Sequence, residues 1–256
     1  MRFVADILDK RLSIAYTPFR FMHRQSQSTS RKQEAALRLP DAPPLIDGGL
    51  PAAVRLDAFF PGARIRDIGA LRTFLSALLI DSIVRVDLPM IRWAHECATR
   101  NNAKDLIELD EFLAALPLPQ ALKNASILIG RRQLATFSGL KGHTFLRRYH
   151  QAVESHPAAG QHVTVYGVFL HLFSIPLRNG LAGYAYQTVE GFLDTAARQI
   201  PMSELQRREI LEATCAPLPA QVERSLAVTR EDLLAWFSES SVDARERKPC
   251  VPNSDR

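Results

Sequence analysis

Apolar residues recur at intervals of three and four along most of the chain after Asp67, which is the spacing of one face of an α-helix. In the first such stretch, the residues that share this face are Ile68, Leu71, Leu75, Leu78, Leu79 and Ile83. Asp67 is the expected N-cap of that helix. No segment has the alternation of a convincing strand. The pattern therefore predicts an all-α fold, a single bundle-like domain of about ten helices.

The second helix is predicted to begin at Asp87-Leu88-Pro89, with the carboxylate of Asp87 as its cap and Pro89 in the first turn. It is expected to end near Arg100. Further helices are predicted over residues 104–116, 120–140, 144–155, 163–173, 179–198, 203–215, 220–228 and 231–237. Residues 163–173 are nearly all apolar, so this helix is expected to be central and buried.

Two of the later helix starts carry a capping pattern. Ser203 is followed three residues later by Gln206, which is the spacing of a capping box. Thr229 and Asp232 repeat this spacing before the last helix. Pro217 and Pro219 are expected to separate the two helices that lie between these starts.

The basic charge of the chain is concentrated at its N-terminus. Residues 1–40 contain eight Lys/Arg and three acidic residues, which accounts for the whole net charge of +5 and leaves 24 basic and 24 acidic residues in the remainder. A neutral body lacks the basic footprint of a nucleic-acid-binding protein. Salt-sensitive nucleic-acid binding through residues 1–40 is the alternative that this pattern leaves open. The predicted segments are a disordered basic extension (1–40), a helical domain (41–238) and a flexible polar tail (239–256).

The cysteines and the hydropathy of the chain indicate a cytoplasmic protein. Cys97, Cys215 and Cys250 are far apart and form no CxxC motif, which favours a reducing compartment. No apolar run approaches the roughly 20 residues of a membrane-spanning helix. The N-terminus has no continuous apolar core of a secretory signal. Residues 17–38 resemble a mitochondrial transit peptide slightly, but a basic extension is the preferred interpretation.

The histidines do not have the spacing of a zinc site. His143, His150, His156 and His162 lack the i, i+4 pattern, and we interpret them as exposed or singly hydrogen-bonded side chains. His171 lies within an apolar helix and is interpreted as a core histidine rather than a metal ligand. An enzyme is left open only if a pocket gathers distant histidines.

The other polar motifs do not indicate catalysis either. Glu108, Asp110 and Glu111 are interpreted as the exposed side of one helix. Gly130-Arg131-Arg132 has no preceding strand, so it is not a phosphate loop, and no serine lies in a GxSxG context. These observations disfavour an enzyme and a metal site, and they favour a protein that acts through its surfaces.

Five stretches of the sequence share their order and spacing with one known family. They are Gly49-Leu50-Pro51-Ala52-Ala53-Val54, Asp87-Leu88-Pro89 with Trp93-Ala94-His95, Ala125-Ser126 with Gly130-Arg131, Tyr166-Gly167-Val168, and Ala196-Ala197-Arg198 with Pro201. Together they resemble the UreF family of urease accessory proteins over roughly residues 48–237.

The sequence departs from that family at several positions. An acidic residue is replaced by Pro51, Glu by Ala121, Arg by Lys123, Gly by Ser203 and Gln by Arg208. The family's N-terminal "DSxLPxGxFAHS" and C-terminal "HExxxxRLF" segments have no counterpart that aligns.

The resemblance implies a non-enzymatic chaperone or scaffold. Family members join the accessory protein UreD (also called UreH) and the GTPase UreG on apo-urease for insertion of nickel into the urease active site. The resemblance also implies dimerisation through helical faces, and it implies that the assembled complex handles nickel while this chain binds no cofactor directly. The alternative is a helical protein–protein interaction module that has diverged from urease maturation.

Four basic residues are expected to contact partners. Lys123, Arg131 and Arg198 stand at polar or small positions of the family's motifs, and Arg208 stands where the family has a glutamine. For each of these cations, the alternative is a structural ion pair or a solvated charge.

Overall fold

The computed structural model describes residues 65, 67–118, 120–136, 143–198 and 200–246. Its elements are α1 (Ile68–Ala77), a π-helix (Leu78–Asp87), α2 (Leu88–Thr99), α3 (Ala103–Ala115), α4 (Gln120–Thr136), α5 (Thr144–Glu154), α6 (His162–Leu172), α7 (Leu177–Ala196), α8 (Glu204–Cys215), α9 (Leu218–Ala227) and α10 (Arg230–Glu246). All of these elements within the described residues are helical, which confirms the all-α prediction. The predicted basic extension and the Gly49–Val54 motif lie outside the described residues.

The chain from α1 through the π-helix to α2 is one continuous helical run. Asp67 caps its start, because its carboxylate accepts a hydrogen bond from the Ala70 N–H at 2.8 Å, as predicted. At the end of the π-helix the Leu88 N–H donates to the Ile83 carbonyl oxygen, five residues earlier. This wider hydrogen-bond step is the one that defines a π-helix.

The predicted cap at Asp87 is wrong. Asp87 has α-helical backbone angles and makes no capping hydrogen bond, because the helix does not break at this position. Its side chain is buried, and its Oδ2 accepts a hydrogen bond from the Tyr184 hydroxyl at 2.9 Å. The carboxylate therefore joins α7 to the start of α2 instead of starting a helix.

Helix α6 is central, as its apolar sequence predicts, and its residues from His162 to Leu170 are all buried. Gly167 lets α2 approach closely, because a Cβ there would meet the Ile91 carbonyl oxygen and would lie 2.7 Å from the Ala94 Cβ. Gly130 of α4 does the same at the start of α6, where a Cβ would lie 2.8 Å from the backbone nitrogen of His162. Glycines thus set the spacing of α6 from two neighbouring helices.

His171 differs from the prediction of a core histidine. It lies in the last turn of α6, where the helix emerges from the core, and its side chain is half-buried. Its Nδ1 lies 3.3 Å from the Thr99 hydroxyl oxygen of α2. The apolar run alone did not indicate where the helix leaves the core.

The core is built mainly from aliphatic side chains, with a few large aromatic rings at its centre. The largest side chains that are almost fully buried include Tyr149, Tyr184, Phe169, Phe192 and Met90. The Phe74 and Phe192 rings of α1 and α7 pack edge to face, with centroids 5.6 Å apart. Helices α1, α2, α6 and α7 therefore contribute to one core.

The capping patterns of the later helices are confirmed. Ser203 and Gln206 form a reciprocal capping box at α8. At the start of α10, Asp232 Oδ2 accepts a hydrogen bond from the Thr229 N–H at 2.9 Å, and the Asp232 N–H donates to the Thr229 hydroxyl. Pro219 lies in the first turn of α9, so the prolines do not both precede that helix. Helix α10 ends at Glu246, beyond the end predicted at residue 237.

Candidate functional site

Two of the four predicted partner-contact residues lie on α4, and each donates to a backbone carbonyl. Lys123 Nζ donates to the Ala114 carbonyl oxygen at 2.7 Å, near the C-terminal end of α3. Arg131 Nε donates to the Ala159 carbonyl oxygen at 3.0 Å, in the loop before α6. At the end of a helix, the last carbonyl groups receive no hydrogen bond from the helix itself, and a cation can donate to them instead. Both residues therefore have a structural role, while their proposed role in partner contact stays a prediction.

A buried carboxylate lies beneath this loop. Asp110 of α3 is fully buried, and its two oxygens accept hydrogen bonds from the N–H groups of Gly160 at 2.7 Å and Gln161 at 3.0 Å. The Ser126 hydroxyl accepts from the His162 N–H at 3.1 Å. Three N–H groups at the start of α6 are thus satisfied by side chains from α3 and α4, and the negative charge lies at the positive end of the helix dipole.

The expectation that Asp110 lies on an exposed side of its helix is therefore wrong, although Glu108 and Glu111 are exposed as predicted. The physical reason is that the start of α6 supplies N–H donors inside the core, where a carboxylate is stable only with such partners. A signal was present in the sequence. Asp110 lies four residues after Leu106 and three before Leu113, on the apolar face of α3.

Tyr149 of α5 is buried next to this carboxylate. Burial, and then the negative charge of Asp110, raise the pKa of the Tyr149 hydroxyl well above its usual value, whereas the charge of Arg131 acts in the opposite direction. The hydroxyl therefore stays protonated in any physiological range.

A second polar group continues from His162 into the core. The His162 Nδ1 lies 3.0 Å from the Gln133 Oε1, and its ring lies beside those of Tyr166 and Tyr184. The Tyr166 hydroxyl donates to the Gly180 carbonyl oxygen at 3.1 Å, and burial raises the pKa of Tyr166. His162 was expected to be exposed or singly hydrogen-bonded, and the sequence did not indicate that it lies at the centre of the fold.

The other two predicted contact residues are Arg198, two residues after the end of α7, and Arg208, which lies on α8. Arg198 is exposed, and within the described residues its side chain makes no hydrogen bond or ion pair. Arg208 is exposed and pairs with Glu212, with 2.8 Å between Nε and Oε1. Beside it, Arg207 joins the two helices through a 2.6 Å contact with Asp194. Arg207 therefore stabilises the helix pair, while Arg208 and Arg198 face solvent.

Metal-ligating side chains and thiols are the remaining candidates for reactive groups among the described residues. They contain no group of three or more His, Cys, Asp or Glu side chains that could hold a metal ion. Burial raises the pKa of the Cys97 thiol, and burial followed by the charge of Glu190 raises the pKa of Cys215 to about 12. Neither thiol is therefore an activated nucleophile near neutral pH. In this part of the chain, no helix is long and apolar enough to span a membrane.

The features that remain are a helical framework with fixed spacing and charged side chains on its surface. A model of the UreF family matches residues 65–214, which is more than half of the 256 residues. The chain belongs to the UreF family. The match includes α1 through most of α8, and all four predicted contact residues lie within it. The expectation drawn from the sequence motifs is confirmed at the level of the family.

Individual UreF proteins are similar along most of the chain. The urease accessory protein UreF of Actinobacillus pleuropneumoniae serotype 5b (strain L20) is 23% identical over 192 residues, which cover 75% of this chain and 84% of the relative. That of Haemophilus influenzae (strain PittEE) is 24% identical over 214 residues, covering 84% and 91%. That of Arthrobacter sp. (strain FB24) is 25% identical over 185 residues, covering 70% and 80%. The family supports a role as a urease accessory protein.

Proposed function

We propose that this chain is a non-enzymatic scaffold for urease maturation in the cytoplasm. It binds a UreD/UreH-like accessory protein and a UreG-like GTPase, and the assembly acts on apo-urease so that nickel enters the urease active site. The observation that carries the proposal is the family match over residues 65–214. Nickel is the cargo of the assembled complex, and the proposal needs no resident cofactor in this chain.

The framework of the fold supports this role. Helices α2, α4 and α6 are held at close distance by Gly130 and Gly167, and the start of α6 is fixed by Asp110. A rigid set of helices presents surface side chains in a constant arrangement, which lowers the entropy cost of binding a partner. The exposed Arg198 and Arg208 lie at the surface of such a framework and are proposed to contact the partners.

Co-expression with the UreD- and UreG-like proteins of the same organism, followed by size-exclusion chromatography, tests the proposal. We expect the three chains to elute as one complex. Separate elution, with this chain folded and helical by circular dichroism, would contradict the scaffold role. Deletion of the gene is expected to leave urease without nickel, so full urease activity in the deletion strain would also contradict it.

A second candidate function is a helical interaction module that has left urease maturation. It is favoured by the altered terminal motifs, where residues 43–47 and 242–256 do not align with the family's segments. The two functions are distinguished by the genome, since a source organism without urease genes would favour the second. The analytical size of the isolated chain tests, in addition, whether it forms a homodimer.

A further inference from the structure

The wide helix between α1 and α2 extends over 10 residues, Leu78–Asp87. Most π-helices are single turns inserted in an α-helix, and they are frequent at functional sites. Both flanking elements are α-helices, and the chain passes from one to the other without a break. A π-helix of this length therefore needs a specific stabilising cause.

Side-chain burial in this segment repeats at an interval of five residues. The buried pairs with this spacing are Leu78 with Ile83, Leu79 with Val84 and Ser82 with Asp87; the exposed pair is Ile80 with Arg85; and Asp81 with Val86 is the exception. Side chains five apart share a face in a π-helix, whereas side chains three and four apart share a face in an α-helix. Tertiary packing therefore selects the wider helix.

The α-helical form of the same residues remains close in free energy. Backbone N–H groups that bond five residues back in the π-helix would find acceptors four residues back in that form. Ile80, Ile83, Val84 and Val86 are β-branched, and such side chains give a segment only a weak preference for helix. The balance between the two forms is therefore set by the packing at the two ends of the segment.

The α2 end of the segment is fixed. Asp87 accepts the hydrogen bond of the Tyr184 hydroxyl at 2.9 Å. Gly167 brings α6 against α2, where a Cβ on this glycine would lie 2.7 Å from the Ala94 Cβ. Because both contacts depend on the present position of α2, a change in hydrogen-bond register has to move α1 instead.

The α1 end is held by fewer buried side chains. Of the 10 residues of α1, Leu71, Phe74 and Leu75 are buried. The Phe74 ring packs on Phe192 of α7 with centroids 5.6 Å apart, and α1 also contacts α8. A π-helix has more residues per turn than an α-helix, so each turn that converts to α rotates α1 about its axis and lengthens the helical run.

We propose that Leu78–Asp87 is a register-shift element, which converts between π and α hydrogen bonding within the folded protein. Conversion rotates α1 and changes its contacts with α7 and α8, while α2, α4 and α6 remain the fixed framework. The element thereby adjusts the edge of the domain to which α8, with Arg208, belongs. This inference goes beyond the scaffold proposal, which requires one arrangement only, and it does not depend on the identity of any partner.

Crosslinks that are compatible with one register or with both test the proposal. Ile80→Cys/Arg85→Cys places two thiols five residues apart, so a short bis-alkylating reagent joins them across one turn of the π-helix and excludes the α-helix. Asp81→Cys/Arg85→Cys is the matched control, because residues four apart are neighbours in both kinds of helix. The three substituted side chains are exposed, and the native cysteines are replaced by alanine in both variants.

Hydrogen exchange of the full chain, followed by mass spectrometry, is measured for each variant before and after crosslinking. Before crosslinking, we expect the amides of residues 82–88 to exchange about tenfold faster than those of residues 90–98, although both stretches are mostly buried. The five-residue crosslink is expected to slow exchange in residues 82–88 and in α1 by about tenfold, and the four-residue crosslink to leave it within about twofold of the uncrosslinked chain. Circular dichroism shows that each crosslinked chain is folded.

Four outcomes would each overturn the proposal. Equal slowing by both crosslinks indicates ordinary local unfolding. Equal protection of residues 82–88 and 90–98 before crosslinking indicates a single fixed register. Slowing in residues 82–88 without slowing in α1 indicates that α1 does not move with the segment. Failure of the five-residue pair to crosslink, while the four-residue pair reacts, indicates that the π register is not populated.

Discussion

The Tyr184 hydroxyl donates a hydrogen bond to Oδ2 of Asp87 at 2.9 Å and so connects α7 to the junction between the π-helix and α2. Both side chains are buried, with Tyr184 at 0% and Asp87 at 7% relative exposure. A buried carboxylate oxygen that loses a donor keeps its desolvation cost without compensation. This bond therefore contributes to the position of α2, on which the motif Trp93-Ala94-His95 lies.

Replacement of Tyr184 by Phe is expected to lower the free energy of unfolding by about 1.5–3 kcal/mol, the range of a hydrogen bond to a charged group. Equilibrium urea denaturation measures this loss. Tyr186→Phe is the control, because Tyr186 lies two residues further along α7 and is only half-buried. Equal stability of the two variants would show that the Asp87 bond does not stabilise the fold.

Asp110→Asn is expected to lower the free energy of unfolding by about 2–4 kcal/mol. The substitution places an amide N–H₂ where a carboxylate oxygen accepts from the N–H of Gly160 or Gln161, and it removes the negative charge at the start of α6. Glu111→Gln, an exposed change on the same helix, is expected to stay within about 0.5 kcal/mol of the wild type. Urea denaturation of both variants measures the difference, and an unchanged Asp110→Asn midpoint would contradict this role.

Much of the helical pattern could be predicted because its signals are local. The caps at Asp67 and Ser203 depend on residues three positions away, and the buried α6 follows from an uninterrupted apolar run. The roles of Asp87 and Asp110 could not be predicted in this way. Their partners lie 97 and 50 residues away, respectively, so the pairing exists only after the helices have packed.

Less of the candidate site than of the fold could be predicted from the sequence. The sequence marks Lys123 and Arg131 as cations at motif positions, but it does not show that each donates to a backbone carbonyl in another part of the chain. The pairing of His95 with His171 requires α2 and α6 to meet at Gly167. The spacing of residues along the sequence does not indicate that contact.

Alanine substitutions at two glycines are expected to have opposite effects. At Gly167 the new methyl group would meet the Ile91 carbonyl oxygen and the Ala94 side chain, so we expect a loss of about 1–3 kcal/mol from overpacking. At Gly191 on α7, no heavy atom lies within 4 Å, so we expect a gain of about 0.5–1 kcal/mol from helix propensity. Thermal and urea unfolding measure both changes. A stable Gly167→Ala variant would contradict the close approach of α2 and α6.

Glu190→Gln is expected to stabilise the protein near neutral pH. Burial, and then the charge of Asp194, raise the pKa of Glu190 above its usual value, while Arg207 acts in the opposite direction. A raised pKa in the folded state means that the contribution of Glu190 to stability is present below the unfolded-state pKa and is lost as pH rises through the folded-state pKa.

Glutamine resembles the protonated carboxyl group, so its advantage should be present near pH 7 and absent near about pH 4. Unfolding curves at the two pH values measure the difference. Asp194→Asn serves as the comparison, because it removes the negative charge from the 2.6 Å ion pair with Arg207 and is not expected to stabilise. A gain of the same size at both pH values would contradict the titration of Glu190 as its cause.

Arg198→Glu is expected to weaken the proposed complex without affecting the fold. Its side chain is exposed and has no ion pair among the described residues, so the free energy of unfolding should change by no more than about 0.5 kcal/mol. Lys123 is less suitable for this test, because loss of its bond to the Ala114 carbonyl would itself destabilise the protein.

Co-elution with the UreD- and UreG-like partners measures binding, and thermal unfolding of the isolated chain shows that the variant is folded. Arg147→Glu provides the matched control, since Arg147 is also an exposed arginine, on α5 and outside the predicted contact set. We expect the complex to dissociate with Arg198→Glu and to persist with Arg147→Glu. If both variants co-elute as the wild type does, Arg198 is a solvated charge and the partners bind elsewhere. If both fail, the complex depends on overall charge rather than on this position.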